Sequence, residues 1–131
     1  MATFNPAWDA NWTTTSINAS TITNASTSTI STAISNDVKI VTEVSVTIAY
    51  GGTATEGVKV YLLRDVDGTN YETTNDLPWG FQMPFSTSVT RYRTFTVSGS
   101  SISKFKILLS NSSGASVTAT VKYKQATVNL T

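Results

Sequence analysis

From Val38 to Tyr50 the chain alternates almost without fault. Even positions read Val38, Ile40, Thr42, Val44, Val46, Ile48 and Tyr50, and odd positions read Lys39, Val41, Glu43, Ser45, Thr47 and Ala49. A period of two sustained over this length marks an extended strand with one buried and one wet face. Val117 to Gln125 repeats the pattern, with Val117, Ala119, Val121 and Tyr123 opposed to Thr118, Thr120, Lys122 and Lys124. Composition points the same way. The 131 residues include 24 Thr and 17 Ser, and they are rich in Val and Ile, which favours strands over helices.

Other segments read as strands on similar grounds. Val58 to Val66 is apolar on both parities, as a central strand is, and Asp67-Gly68 is a strong turn signal. Tyr71 to Thr73 is the expected return. Arg91 to Val97 and Ser103 to Ser110 follow, separated by Ser98-Gly99-Ser100, and Asn111-Ser112-Ser113-Gly114 turns the chain again. In the Ser/Thr-rich stretch 16–36, Ile17, Ile22, Ile30 and Ile34 suggest two short strands around a turn at Asn24-Ala25-Ser26. Residues 74–88, with two prolines and a glycine, read as a long loop, and Ala126 to Thr131 as a last edge strand or an arm. The sum is an all-β chain: a single antiparallel β-sandwich, jelly-roll or immunoglobulin-like, with seven or eight strands and no helix. The length suits one domain. Phe4, Trp8 and Trp12 follow no period, so residues 1–15 are expected to form an extended N-terminal arm and residues 16–131 the sandwich.

Several chemistries are excluded by residue type alone. There is no cysteine and no histidine, so disulfides, zinc sites of the usual kind, Ser-His-Asp triads and Cys-His dyads are absent. No apolar run approaches membrane-spanning length, and the first residues have neither the basic region nor the apolar core of a signal peptide. An enzyme, a cofactor and a metal are not expected. Asp65, Asp67, Asn70 and Glu72 are oxygen donors around one turn, a set that calcium favours, but the glycine falls too early for an EF-hand loop and an Asp-Gly hairpin turn accounts for the pattern. Ser101-Ile102-Ser103-Lys104 matches a hydrolase motif that needs a helix start, whereas here it enters a strand. Five Asn-x-Ser/Thr triplets are a consequence of composition.

Two features point to a binding surface. Pro78 to Phe85 places Trp79, Phe81, Met83 and Phe85 in one loop, which either caps the sandwich or anchors a partner. Phe4, Trp8 and Trp12 raise the same alternatives in the arm. The second feature is charge. Residues 1–76 hold all eight acids against three bases, a net of −5, and residues 77–131 hold six bases and no acid. Arg91-Tyr92-Arg93, Lys104-Phe105-Lys106 and Lys122-Tyr123-Lys124 share a base-aromatic-base pattern. On a strand Lys104, Lys106, Lys122 and Lys124 face out, opposite Phe105 and Tyr123. Arg91 and Arg93 share parity with Phe95 and Val97, which requires a bulge or a two-faced strand. If these strands adjoin they form a basic patch suited to an acidic protein surface. Nucleic acid is not expected, because two of the three aromatics point away from the bases.

Val60–Glu72 (VYLLRDVDGTNYE) resembles the strand followed by Asp-Gly-Thr-Asn-Tyr of small tailed-bacteriophage virion proteins, and Lys104–Gly114 (KFKILLSNSSG) resembles their Lys-Phe-Lys, apolar run and Asn-x-x-Gly segment. The resemblance spans roughly residues 12–125 and departs in the aromatic 78–85 loop. It implies a capsid decoration or other accessory virion protein: a small β-sandwich, without catalytic residues, added to the head or tail in many copies. The implied partner is the major capsid protein or another virion protein, the implied location is the virion, and a homo-oligomer is expected, with trimers suiting threefold capsid positions. On this reading the arm and the 78–85 loop dock, and removing residues 2–15 abolishes docking while leaving the sandwich folded. A tail, fibre or baseplate component of the same fold is one alternative. A carbohydrate-binding sandwich with Trp79 and Phe81 as its stacking platform is another.

Overall fold

The computed structural model describes residues 4–25 and 27–130, and the side chains of those residues apart from Phe4, Thr27, Asn129 and Leu130. The described chain contains the strands β1 (Phe4–Trp8), β2 (Thr13–Thr14), β3 (Ser20–Ile22), β4 (Thr27–Ile30), β5 (Ile34–Ser35), β6 (Val41–Ala49), β7 (Lys59–Arg64), β8 (Gly80–Gln82), β9 (Thr90–Ser98), β10 (Lys104–Asn111) and β11 (Val117–Leu130), with a 3-10 turn at Thr74–Asp76. Every pairing is antiparallel, and the strands form two sheets.

In the first sheet β1, β2 and β3 lie end to end along one edge of β11, whose other edge pairs with β6, followed by β9. In the second, β4 and β5 lie end to end along β10, followed by β7 and β8. Each broken run is one lane. The eight lanes then pack first-eighth-third-sixth against second-seventh-fourth-fifth, which is the jelly-roll arrangement and not the immunoglobulin one. Eleven strands stand where seven or eight were expected because two lanes are interrupted.

The interruptions are bridged by hydroxyls. Between β2 and β3, Thr15 donates to Val121 O from both its N–H and its Oγ1, each at 2.9 Å, and the Val121 N–H donates to Ile17 O at 2.9 Å. Between β4 and β5, the Ser31 N–H donates to Ile107 O at 2.8 Å, and Ser31 Oγ accepts the Ile107 N–H at 3.0 Å. A strand that bulges leaves ladder groups unpaired, and a short hydroxyl side chain satisfies them locally. The Ser/Thr-rich stretch therefore forms three short strands, β3 to β5, rather than two. Ser26, in the expected turn, lies outside the described residues.

Other boundaries also move. The long alternating strand starts at Val41, not Val38, because Val38 takes a left-handed φ of 54° in an exposed turn closed by the Lys39 N–H on Asn36 O. Tyr71 to Thr73 is no return strand. A single bridge joins Asp65 to Tyr71, and the excursion folds Tyr71 against the outer face of the second sheet beside buried Leu63 and Leu108. The 78–85 loop contains β8. Gly80 permits it: a Cβ there would meet Val60 O at 2.6 Å and the Tyr61 ring at 2.7 Å. The tail from Ala126 simply continues β11.

Both sheets fill one core, in which Val44, Val46, Ile48, Val117 and Val121 face Val60, Leu62, Phe105, Ile107 and Leu109. Each such side chain contributes about 1.5–3 kcal/mol on full burial. At one end the core turns polar. Gln125 Nε2 donates to Ser35 O at 2.6 Å and to Thr42 Oγ1 at 2.9 Å, Thr42 Oγ1 donates to Asn36 Oδ1, and Asn36 Nδ2 donates to Val97 O at 3.2 Å. Among the described residues no buried side-chain polar atom lacks a partner, and no helix is long and apolar enough to cross a membrane.

Candidate functional site

The N-terminal residues are not a free arm. β1 pairs Phe4 through Trp8 with Leu130 through Ala126, and β2 pairs Thr13 and Thr14 with Tyr123 and Lys122. The physical reason is the long β11, whose outer edge needs partners. β6 begins at Val41, opposite Ala126, so Thr127 to Leu130 run on beyond that strand's first residue beside β1 as a two-stranded ribbon. The Asp9 N–H donates to Gln125 O at 2.9 Å, which puts Pro6 at a non-hydrogen-bonded position of the β1–β11 ladder. Its missing N–H thus belongs to the free edge, where it costs the sheet nothing. Trp8 is 46% exposed and Val128 47% on this ribbon. Phe4 belongs to β1 by its backbone, and its side chain lies outside those described.

A groove crosses the outer face of the first sheet. Since Thr42, Val44, Val46 and Ile48 point inward, Ser45 and Thr47 point outward, as do their cross-strand partners Lys122, Thr120 and Tyr92. Together with Trp12 these residues line a groove of about 440 Å³. Trp12 closes one end, where the Lys124 ammonium lies 5.6 Å from its ring centre. Tyr92, 68% exposed, closes the other. Tyr92 belongs to the base-aromatic-base pattern of the sequence but not to the expected docking residues. Its exposure was implied by its parity opposite Phe95 and Val97, but its pairing with Thr47 is a long-range fact.

The four lysines do not make one patch. β10 lies in the second sheet and β11 in the first, so Lys104 and Lys106 face away from Lys122 and Lys124 across the thickness of the sandwich. The Lys106 ammonium is 4.4 Å from the Tyr71 ring centre. Arg91 and Arg93 lie on a regular β9 without a bulge. Arg93 uses the inward parity at a sheet edge, its guanidinium 4.3 Å over the Phe81 ring, and Arg91 Nη2 donates to Ser86 Oγ.

The aromatic loop folds back onto the sandwich. Trp79, Phe81 and Phe95 cluster with ring centres 5.3–5.5 Å apart, closing the side opening between edge strands β8 and β9. Met83 is 2% exposed and donates its N–H to Val58 O at 2.8 Å, so it is core and unavailable to a partner. Phe81 is half-buried and tilted 59° to Trp79, so these two rings offer no flat platform. Trp79 keeps an exposed face, and Phe85 meets Tyr50 edge-on at 6.2 Å.

The carboxylates around Asp67-Gly68 are spent on the turn itself. Asp67 Oδ1 accepts the N–H groups of Thr69 at 2.9 Å and Asn70 at 2.6 Å, and Oδ2 accepts Asn70 Nδ2 at 2.8 Å. The hydrogen bonds from Asn70, then that from Thr69, hold the Asp67 carboxyl below its ordinary pKa. Asp65 Oδ1 accepts the Gly68 N–H at 2.8 Å, and Glu72 Oε1 accepts the Arg64 N–H at 2.8 Å. Among the described residues no three acidic side chains gather as a metal site.

No protein-family model matches the chain, and no curated protein matches it in sequence. Its fold is similar to part of a family GH115 4-O-methyl-α-glucuronidase with specificity for decorated arabinogalactans, at TM-score 0.49 and 6% identity over 79% of this chain and 14% of that one. It is also similar to a CBM4 structure, at TM-score 0.39 and 14% identity over 78% and 61% of the two chains. A third similarity is to the VP2 subviral particle of infectious bursal disease virus, at TM-score 0.42 and 13% identity over 97% and 32%. The chain thus spans less than two thirds of each of these proteins.

Proposed function

We propose that this chain is a non-enzymatic virion structural protein, a capsid decoration protein of a tailed bacteriophage that docks on the head in many copies through its terminal ribbon. The observation that carries this reading is the ribbon itself. Thr127 to Leu130 extend past β6 with β1 alongside, presenting Trp8 and Val128 to solvent. A strand end beyond its sheet offers main-chain N–H and C=O groups for strand addition, and an exposed indole supplies an anchor. The likeness of residues 60–72 and 104–114 to phage virion proteins supports the choice of partner, an acceptor strand on the major capsid protein. Many identical copies on one lattice need only a modest interface each.

Gold-labelled antibody against the chain, imaged on intact particles from the source, tests the location. Label over the heads is the expected result. Label confined to tails replaces the head with a tail or baseplate position, and label on no particle overturns the virion reading. Trp8→Ser and Val128→Ser, which leave every core residue in place, should each weaken particle binding about tenfold. Unchanged binding in both removes the ribbon as the docking element.

A further inference from the structure

The ribbon does not account for the groove between Trp12 and Tyr92. Tyr92 lies level with Thr120, and Val128 is eight positions further along β11, about 27 Å away at the usual rise per residue. A partner gripping the ribbon leaves this end of the sheet face open.

We propose that the groove is a binding site for an acidic oligosaccharide. Its floor is made of small hydroxyl side chains, Ser45, Thr47 and Thr120, from two neighbouring strands. Such a floor donates and accepts hydrogen bonds without crowding a ligand. Its ends are aromatic, Trp12 on the outer lane and Tyr92 on β9. Tyr92 is separated from Thr120 by two inter-strand spacings, about 10 Å, and Trp12 lies beyond β11 on the far side. The groove therefore runs across strands, with room for a short run of pyranose rings between two stacking walls. A sugar has apolar C–H faces and a polar hydroxyl rim, and this site has aromatic faces and a hydroxyl floor. The third element is charge. Lys122 lines the groove and no acidic residue does. Lys124 stands beside Trp12, with Glu43 as its cross-strand neighbour but no ion pair between them within 4 Å. A carboxylate-bearing sugar places its charge against Lys122, which a neutral glycan cannot do.

Isothermal titration calorimetry reads binding in the chain and in every variant alike, and tryptophan fluorescence is a second readout wherever Trp12, a wall of the site, is kept. The full chain is titrated with oligogalacturonate, with sialyl-lactose, and with neutral cello- and xylo-oligosaccharides. Binding of an acidic oligosaccharide, weakened by salt, is the expected result. Trp12→Ala and Tyr92→Ala should each weaken it about tenfold or more, at unchanged thermal midpoint for the surface variant Tyr92→Ala. Lys122→Gln should abolish the preference for acidic over neutral sugars. Equal or stronger binding of the neutral oligosaccharides overturns the acidic assignment. No binding of any of these probes, or binding that survives both aromatic substitutions, overturns the site. Because the purified chain is used, these outcomes do not depend on where it sits on a particle.

Discussion

Gln125 donates from Nε2 to Thr42 Oγ1 at 2.9 Å, joining β11 to β6 inside the sandwich. The same hydroxyl donates to Asn36 Oδ1, so one Thr side chain links two buried amides. Thr42→Val keeps the shape and removes both bonds. Leaving buried polar groups unpaired costs about 1–3 kcal/mol each, so the variant should lose stability on that scale in urea unfolding. Thr42→Ser, which keeps the hydroxyl, should lose clearly less. Equal losses in the two variants would show that the two hydrogen bonds are not what the hydroxyl contributes.

Tyr50 gives the chain an alkaline limit. Burial raises its phenol above the ordinary value of 10.0, opposed by the hydrogen bond its oxygen accepts from the Val58 N–H at 3.1 Å. A raised pKa in the folded state means that the unfolded chain loses this proton first. The stabilising contribution is complete below about pH 10 and drains away as pH climbs through the raised folded value. Tyr50→Phe leaves the Val58 N–H unpaired and should cost about 1–2 kcal/mol near neutral pH. The advantage of the native chain over the variant should then shrink above pH 10. A difference that stays constant from pH 8 to pH 11 would contradict the assignment.

Removal of residues 2–15 should not leave a well-behaved sandwich. β1 and β2 cover the edge of β11, and without them a long strand is bared. Bare edges pair with other chains. Sedimentation of the truncated chain should show self-association and a lowered thermal midpoint. A monomer with the native midpoint would restore the expectation of an arm that serves docking and not folding.

Local features were legible from the order of residues alone. Alternation in Val41–Ala49 and in Val117–Gln125 assigns each side chain to a face, because successive residues of a strand must point opposite ways. The apolar parities of β6, β7, β10 and β11 and the Asp67-Gly68 turn were legible for that reason, as was the all-β class. Which strands are neighbours was settled only by the packed fold. Lys104 and Lys122 carry the same local pattern and end on opposite faces, because β10 and β11 enter different sheets. Trp8 follows no period, yet joins the sheet, and Trp12 directly precedes β2, because the edge of β11 had groups to satisfy. Met83 reads as a loop residue and is core, because Gly80 lets β8 approach β7 closely enough to carry the chain back under it. Tyr92 and Trp12 share a groove only because the two intervening lanes, β11 and β6, align in register. Periodicity is a property of a few consecutive residues, whereas register and sheet order are set by hydrogen bonds and packing between segments far apart in the chain.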